Sequence, residues 1–224
     1  MRLIASENGT AGKKVHAVHK LAIEDEITIA SLRNIMKLVV PETNDPDVIQ
    51  FARGLATDFY IRMPRSVSLP SYSDNHQVSF VEICVDENSE QLRCWFNCLR
   101  ASATGKGNPV YGWAIWQETD TLGNKFFISQ HHAVLRTEAG LIDITPPEKN
   151  LSALTHILFM PDERVPFDTE NGRFPAALFW DPRTKKGVWG ARKSANDTWD
   201  FLPEYQVVRI DEPNWKRFLP SNFS

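Results

Sequence analysis

A chain of 224 residues with 42% hydrophobic and 24% charged residues has the balance of a globular protein, which excludes a disordered one. The net charge of -3 gives no electrostatic reason to bind nucleic acid or an anionic membrane surface. Every apolar run is too short to span a bilayer, and the first residues lack the apolar stretch of a signal peptide. We therefore expect a cytoplasmic protein, or one secreted without a cleavable signal, that binds neither nucleic acid nor membrane. The sequence leaves its oligomeric state open.

The first third of the chain is predicted to be helical after a flexible start. Residues 1–20 are polar, basic and glycine-containing, which indicates a flexible N-terminal segment. Apolar residues recur at helical spacing over 24–40 and again after Pro46, a residue that suits the first turn of a helix. Residues 21–76 are therefore expected to be a helical N-terminal part, which ends in a loop rich in proline and serine at 62–76.

The hydrophobic period then changes from helical to alternating. A strand is predicted at 78–85 and a helix at 91–103. Further strands are predicted at 110–117, 125–136, 140–145, 154–160 and 176–180, with short ones near 187–191 and 205–210. Helices followed by strands predict an α+β fold, in which 21–224 form a single domain and 148–224 are its strand-rich C-terminal extension.

The three cysteines are too few, and odd in number, for a disulfide framework, so free thiols in a reducing compartment are expected. Cys84 in a strand and Cys98 deeper in a helix are interpreted as small buried apolar residues. Cys94 falls in the first turns of the predicted helix, where exposed N–H groups and the helix dipole stabilise a thiolate. Cys94 is therefore the candidate nucleophile, with a buried structural cysteine as the alternative.

A base and its orienting acid are candidates in the stretch SQHHAVLRTEAGLIDITPP, residues 129–147. His132 lies on one predicted strand and Asp143 on the next, so a tight turn would bring them side by side. Taken alone, the pair would fit two core strands with a turn-capping aspartate; the order Cys, His, Asp favours a catalytic triad. Because consecutive strand residues face opposite sides, His131 is expected either on the opposite strand face or at the cleft rim.

The motifs resemble a known superfamily. A helix-borne Cys94, a strand with His132, Ala133 and Val134, and then Gly140, Asp143, Thr145 and Pro146 resemble the papain-like cysteine enzymes in their transglutaminase-like branch. The spacing of the cysteine and histidine is also similar to that of the arylamine N-acetyltransferases. The resemblance implies a papain-like α+β fold, with N-terminal helices and a catalytic helix packed on an antiparallel sheet.

The resemblance also implies an oxyanion hole built from the backbone N–H of Cys94 and a side-chain amide located before it. Gln91, Asn88 and Gln77 are the candidates, and Gln91 is preferred because it lies one helical turn before the cysteine. Nearby residues that would line the site or bind substrate are expected to include Asn97, Trp113 and His131.

The sequence thus predicts a thiol-dependent hydrolase, without metal or cofactor, that cleaves an amide or isopeptide bond in a peptide, a protein or a small amide. An amidase, a peptidase and a glutamine deamidase are all compatible with this prediction. The alternatives are an acyltransferase or transglutaminase using the same triad, and a non-catalytic binding module that retains the fold. A zinc site formed by Cys94, Cys98, His131 and His132 is disfavoured, because neighbouring strand residues diverge and the spacing is unusual for zinc.

Overall fold

The computed structural model describes residues 38–57, 77–120, 122–193 and 198–221. The segment predicted to be flexible at 1–20 and the loop predicted at 62–76 lie outside these ranges. So does the predicted helix at 24–40, except for its last three residues, where Val39 forms an isolated β-bridge with Gln117. Within the described ranges no helix combines the length and apolar character needed to cross a membrane.

The described part of the chain contains two α-helices, ten strands and two short 3-10 helices. The α-helices are α1 (Pro46–Thr57) and α2 (Cys94–Ala103). The 3-10 helices span Lys149–Leu151 and Trp215–Phe218. The strands are β1 (Ser79–Ile83), β2 (Asn108–Thr119), β3 (Lys125–Thr137), β4 (Gly140–Asp143), β5 (His156–Pro161), β6 (Arg173–Pro175), β7 (Ala177–Asp181), β8 (Lys186–Lys193), β9 (Thr198–Leu202) and β10 (Val207–Arg209).

Five strands close into a barrel in the order β2, β5, β1, β4, β3, with β3 pairing again to β2. The long β2–β3 hairpin is its main component, and the two strands stay in register from Asn108 opposite Arg136 to Thr119 opposite Lys125. The strand β5 occupies the other edge of β2, although it lies within the stretch 148–224 that the sequence assigned to an extension. The barrel is therefore closed by β5, which follows the β2–β3 hairpin in the sequence.

Helices and further strands cover this barrel. Strands β7, β8 and β9 continue the sheet from β3, and β6 pairs with β10 in a separate ribbon. Helix α1 buries the apolar face that its sequence predicts, since Val48, Phe51 and Leu55 pack in one core with Trp113 and Phe127 of the hairpin. Alternate residues of β2 and β3 thus face α1, as the period of a strand requires.

The expected α+β papain-like fold, with helices packed on an antiparallel sheet, is wrong. The described chain is mostly β-strand, has a closed five-stranded barrel and contains only the two α-helices. The sheet is also not wholly antiparallel, because β1 runs parallel to β4, with Glu82 opposite Ile142 and Ile83 opposite Asp143. Individual strands were predictable from their alternation, but barrel closure depends on pairings between strands distant in sequence, which alternation does not specify.

Gly112 is a position where the barrel tolerates no side chain. It lies opposite His132 of β3 on one side and Pro161 of β5 on the other. A Cβ built at Gly112 would approach the backbone oxygen of Met160 to 2.1 Å and the Phe159 ring to 2.9 Å. The absence of a Cβ therefore allows β5 to close against the hairpin directly across from His132.

We expect Gly112→Ala to lower the free energy of unfolding by about 3 kcal/mol, at the upper end of overpacking effects, because backbone atoms must move. Urea denaturation measures this loss. Gly123→Ala is the control, since nothing lies within 4 Å of a Cβ there and its cost comes from its φ of +82° alone, about 1–2 kcal/mol. Equal losses in the two variants would contradict the assigned close approach.

Candidate active site

The site lies where one edge of β3 changes partner. On this edge β4 pairs with residues 135–137 and β7 pairs with residues 127–129. Between these two pairings, no strand of the described chain occupies the edge at residues 130–134. His132 sits in the middle of this gap, and its side chain is 18% exposed. Because β4 and β7 pair with different parts of this edge, His132 is accessible although it lies on a central strand.

Asp143 and His132 meet across this gap. Extending the β3–β4 register by one step from Leu135 opposite Ile142 puts Asp143 opposite Val134, so Asp143 and His132 are diagonal neighbours on one face. The His132 Nε2 and the Asp143 Oδ2 are 2.9 Å apart. The Asp143 side chain is 5% exposed, and its other carboxylate oxygen accepts a hydrogen bond of 2.9 Å from the backbone N–H of Thr145. Both carboxylate oxygens are thus held, which fixes the orientation of the imidazole.

Cys94 is the first residue of α2 and is 8% exposed. Helix α2 packs on the hairpin through Cys94, Cys98 and Ala101, which contact a core formed with Ala133 and Leu135. This packing places Cys94 near His132, and the Cys94 thiol acts on the pKa of the imidazole both through its charge and through hydrogen bonding. Because Nε2 is engaged with Asp143, Nδ1 is the ring nitrogen left for the thiol.

The electrostatics of His132 reflect these two neighbours. Burial acts to lower the pKa of the imidazole, but the negative charges of Cys94 and Asp143, together with hydrogen bonds to both, raise that pKa well above its ordinary value. Both neighbours therefore favour the protonated form of the His132 imidazole. Burial, reinforced by the charges of Cys94 and Asp143, raises the pKa of the Cys98 thiol well above its ordinary value, so Cys98 stays a neutral thiol.

His131 faces away from this cluster, as strand alternation predicts. Its Nε2 lies 2.6 Å from the carbonyl oxygen of Val165; since a carbonyl only accepts, Nε2 carries the proton. Burial lowers the pKa of His131 to about 4, so its ring is neutral at pH 7. The ring lies 5.8–6.5 Å, between centroids, from four aromatic rings: Trp95, Tyr111, Trp113 and Phe174. The structure therefore places His131 in an aromatic core instead of at a cleft rim.

Trp113 is likewise in the core. It is completely buried, its indole N–H donates to Asp162 across 3.1 Å, and it lies on the strand face opposite to His132. The four residues weighed for zinc do not converge, because His131 and His132 turn to different partners. Among the described residues, no three His, Cys, Asp or Glu side chains are arranged to hold a metal ion.

Asn97 connects α2, which carries Cys94, to the segment that carries Asp143. It is 1% exposed, and its amide donates to the backbone oxygen of Glu90 at 2.8 Å and to the Thr145 hydroxyl at 3.1 Å. Its oxygen accepts from the Glu90 N–H at 3.0 Å and from Arg100 at 2.8 Å. Asn97 is thus a buried positioning residue, which ties the loop before Cys94 to the strand end after Asp143.

The three side-chain amides predicted as candidate oxyanion donors are all exposed. The Gln91 side chain is on the exposed surface and donates to the backbone oxygen of Pro147. Asn88 and Gln77 are also exposed. Sequence reasoning named Thr145 only as part of the motif and did not single out Glu90, although both bond to Asn97. A buried asparagine needs hydrogen-bond partners, and this need at Asn97, close to Cys94, is the signal that could have pointed to them.

The first turn of α2 has backbone N–H groups that are free to donate hydrogen bonds. Its N-cap is Arg93, which makes no side-chain capping bond, so the N–H groups at the helix start receive no acceptor from the cap residue. No backbone acceptor for the N–H groups of Cys94 or Trp95 is found among the described residues. The helix start next to the thiol therefore presents hydrogen-bond donors to any oxygen bound there.

Comparisons of the chain with protein-family models, with curated proteins and with solved structures gave no match.

Proposed function

We propose that the protein is a thiol-dependent hydrolase that cleaves an amide or isopeptide bond through Cys94, His132 and Asp143. The observation that carries the proposal is the His132–Asp143 hydrogen bond of 2.9 Å, with the Cys94 thiol next to the same imidazole. A cysteine nucleophile, an adjacent base and a group that orients the base are the components of this chemistry, and they recur on unrelated folds. The proposal therefore does not depend on a papain-like scaffold.

Acylation begins from the thiolate of Cys94 and the imidazolium of His132. The Cys94 sulfur attacks the carbonyl carbon, and the carbonyl electron pair moves to the oxygen. The resulting oxyanion accepts hydrogen bonds from the uncapped N–H groups of Cys94 and Trp95 at the start of α2. His132 then gives its proton to the departing amine as the carbon–nitrogen bond breaks, which leaves a thioester on Cys94 and a neutral imidazole.

In deacylation His132 acts as a base instead of an acid. The neutral His132 takes a proton from water, whose oxygen attacks the thioester carbon, and the Cys94 sulfur leaves as the thiolate. Asp143 accepts the hydrogen bond from the Nε2–H of the imidazole throughout. We favour water over an amine as the acceptor, because water needs no second binding site.

Acetyl transfer from p-nitrophenyl acetate tests the proposal without knowledge of the natural substrate. We expect a burst of p-nitrophenolate equal in amount to the enzyme, and an acetyl group on the Cys94 peptide after acid quenching, as detected by mass spectrometry.

Cys94→Ala should abolish the burst, whereas Cys84→Ala, which removes an exposed thiol, should keep it. Acetylation of Cys84 without acetylation of Cys94 would refute the proposal.

A further inference from the structure

Leu92, two residues before Cys94, combines two unfavourable properties. Its φ is +62°, in the left-handed region that glycine and asparagine tolerate and leucine does not favour. Its side chain is also 61% exposed, so little of the apolar surface is buried. Within the described residues, Lys185 is the only other non-glycine with positive φ, at +56°.

Neither property of Leu92 serves the folded state. A left-handed conformation disfavours an L-residue relative to glycine, and an exposed leucine gains almost nothing from the hydrophobic effect. Strained residues persist where their surroundings hold them, and they cluster at functional sites. An apolar side chain kept in solvent at such a position therefore points to a contact made only when another molecule is bound.

The neighbours of Leu92 hold it rigidly next to the nucleophile. On one side the Gln91 amide bonds to Pro147. On the other, the Arg93 guanidinium bonds to Glu212 at 2.6 Å and lies 3.9 Å above the Phe218 ring. Two peptide steps limit the Cα distance between Leu92 and Cys94 to about 7.6 Å. Leu92 is thus an exposed residue whose two neighbours are held in place and whose backbone lies next to that of Cys94.

A second exposed apolar residue flanks the same segment. The backbone N–H of Cys84 bonds to the Asp143 carbonyl and that of Asp86 bonds to the Ile144 carbonyl, so the intervening Val85 lies alongside the strand end that carries Asp143. Val85 is 53% exposed. Apolar surface therefore borders the site from both segments that contact residues 143–147.

We propose that Leu92 determines specificity, by contacting a bulky apolar side chain on the acyl part of the substrate. The inference rests on the proposed function, because it needs Cys94 to be the attacking group. The acyl part is assigned because it stays bonded to the Cys94 sulfur through the thioester stage. The substrate class is thus an amide or peptide with a leucine-like residue at the carbonyl that is attacked.

Alkylation of Cys94 by three reagents tests the inference. N-acetyl-leucine chloromethyl ketone and N-acetyl-glycine chloromethyl ketone both form a carbon–sulfur bond with Cys94 and release chloride, and they differ only in the side chain. Iodoacetamide reports the reactivity of the thiolate without side-chain recognition. In the natural sequence we expect the leucyl reagent to react about tenfold faster than the glycyl reagent, as one apolar contact allows. In Leu92→Asn the ratio should fall to about twofold.

Leu92→Asn should melt at the same temperature as the natural protein or higher, because asparagine tolerates the left-handed region. Lys185→Asn is the matched control: it relieves the same strain in a turn after β7 and should leave the tenfold ratio intact.

An unchanged ratio in Leu92→Asn, with iodoacetamide still fast on Cys94 at pH 6, would overturn this inference and leave the proposed function standing. A lower melting temperature would show that Leu92 is structural. Slow labelling of Cys94 by iodoacetamide would overturn both proposals.

Discussion

Replacing His132 with glutamine is expected to lower the steady-state hydrolysis of p-nitrophenyl acetate at pH 7 by about 10²–10⁴-fold, the usual contribution of a general acid–base group. Glutamine can still donate to Asp143, so the hydrogen bond of 2.9 Å has a replacement. It cannot take a proton from water, however, and deacylation should slow most. The acetyl group should therefore persist on Cys94 once it is formed.

The rate of p-nitrophenolate release and the lifetime of the acetylated Cys94 peptide measure this effect. His156→Gln is the matched control, because His156 lies on β5 at the surface, where it bonds to the Thr155 hydroxyl at 3.1 Å. It should hydrolyse the ester at the natural rate. Hydrolysis by His132→Gln within threefold of the natural rate would remove His132 from the mechanism.

Replacing Asp143 with asparagine is expected to reduce the same hydrolysis by up to about 10⁴-fold, as loss of the orienting carboxylate does in other triads. The amide oxygen of the new asparagine can still accept a hydrogen bond from the Thr145 N–H, but the negative charge that faces the His132 Nε2 is gone. One of the two charges that raise the pKa of His132 is thereby removed, so that pKa should fall. His132 would then lose its proton at a lower pH, and the alkaline limb of the pH–rate profile should shift to lower pH.

The same substitution should change stability in a pH-dependent way. A histidine whose folded pKa lies above its unfolded value stabilises the protein fully below pH about 6.5, and this contribution is lost as pH rises through the raised value. Asp143→Asn should therefore cost the most unfolding free energy below pH 6.5, and less at alkaline pH. Urea titrations at pH 6 and pH 9 measure the difference. A larger loss at pH 9 would show that Asp143 does not stabilise a protonated His132.

Local patterns predicted much of what positions the site. The alternating residues of 125–136 and 140–145 correspond to β3 and β4, and the turn between them indicated correctly that His132 and Asp143 are side by side. Strand alternation also predicted that His131 faces away from His132. These features depend on neighbours fewer than fifteen residues apart, where turn length and the two-residue period determine register.

Features that depend on distant contacts were not predictable. The helix was expected from residue 91, but α2 begins at Cys94, because Glu90 is bonded to Asn97 and Leu92 adopts a left-handed conformation. Trp113 was expected at the cleft, but its indole is held in the core by Asp162. Barrel closure by β5 and the gap on the β3 edge depend on strands that return from later in the chain, and hydrophobic periodicity does not encode their pairing.

The proposed mechanism requires Cys94 and His132 to react as a thiolate–imidazolium pair. The direct test is the rate of iodoacetamide alkylation of Cys94 between pH 4 and pH 9, with Cys84 in the same molecule as the internal reference. Cys84 is exposed, and slight burial with the nearby Glu82 charge raises its pKa, so its rate should rise about tenfold per pH unit below its pKa. We predict that Cys94, although buried, reacts faster than Cys84 at pH 6, at a rate nearly independent of pH from 6 to 8. A Cys94 rate that rises in parallel with that of Cys84 would contradict the ion pair and the proposed function with it.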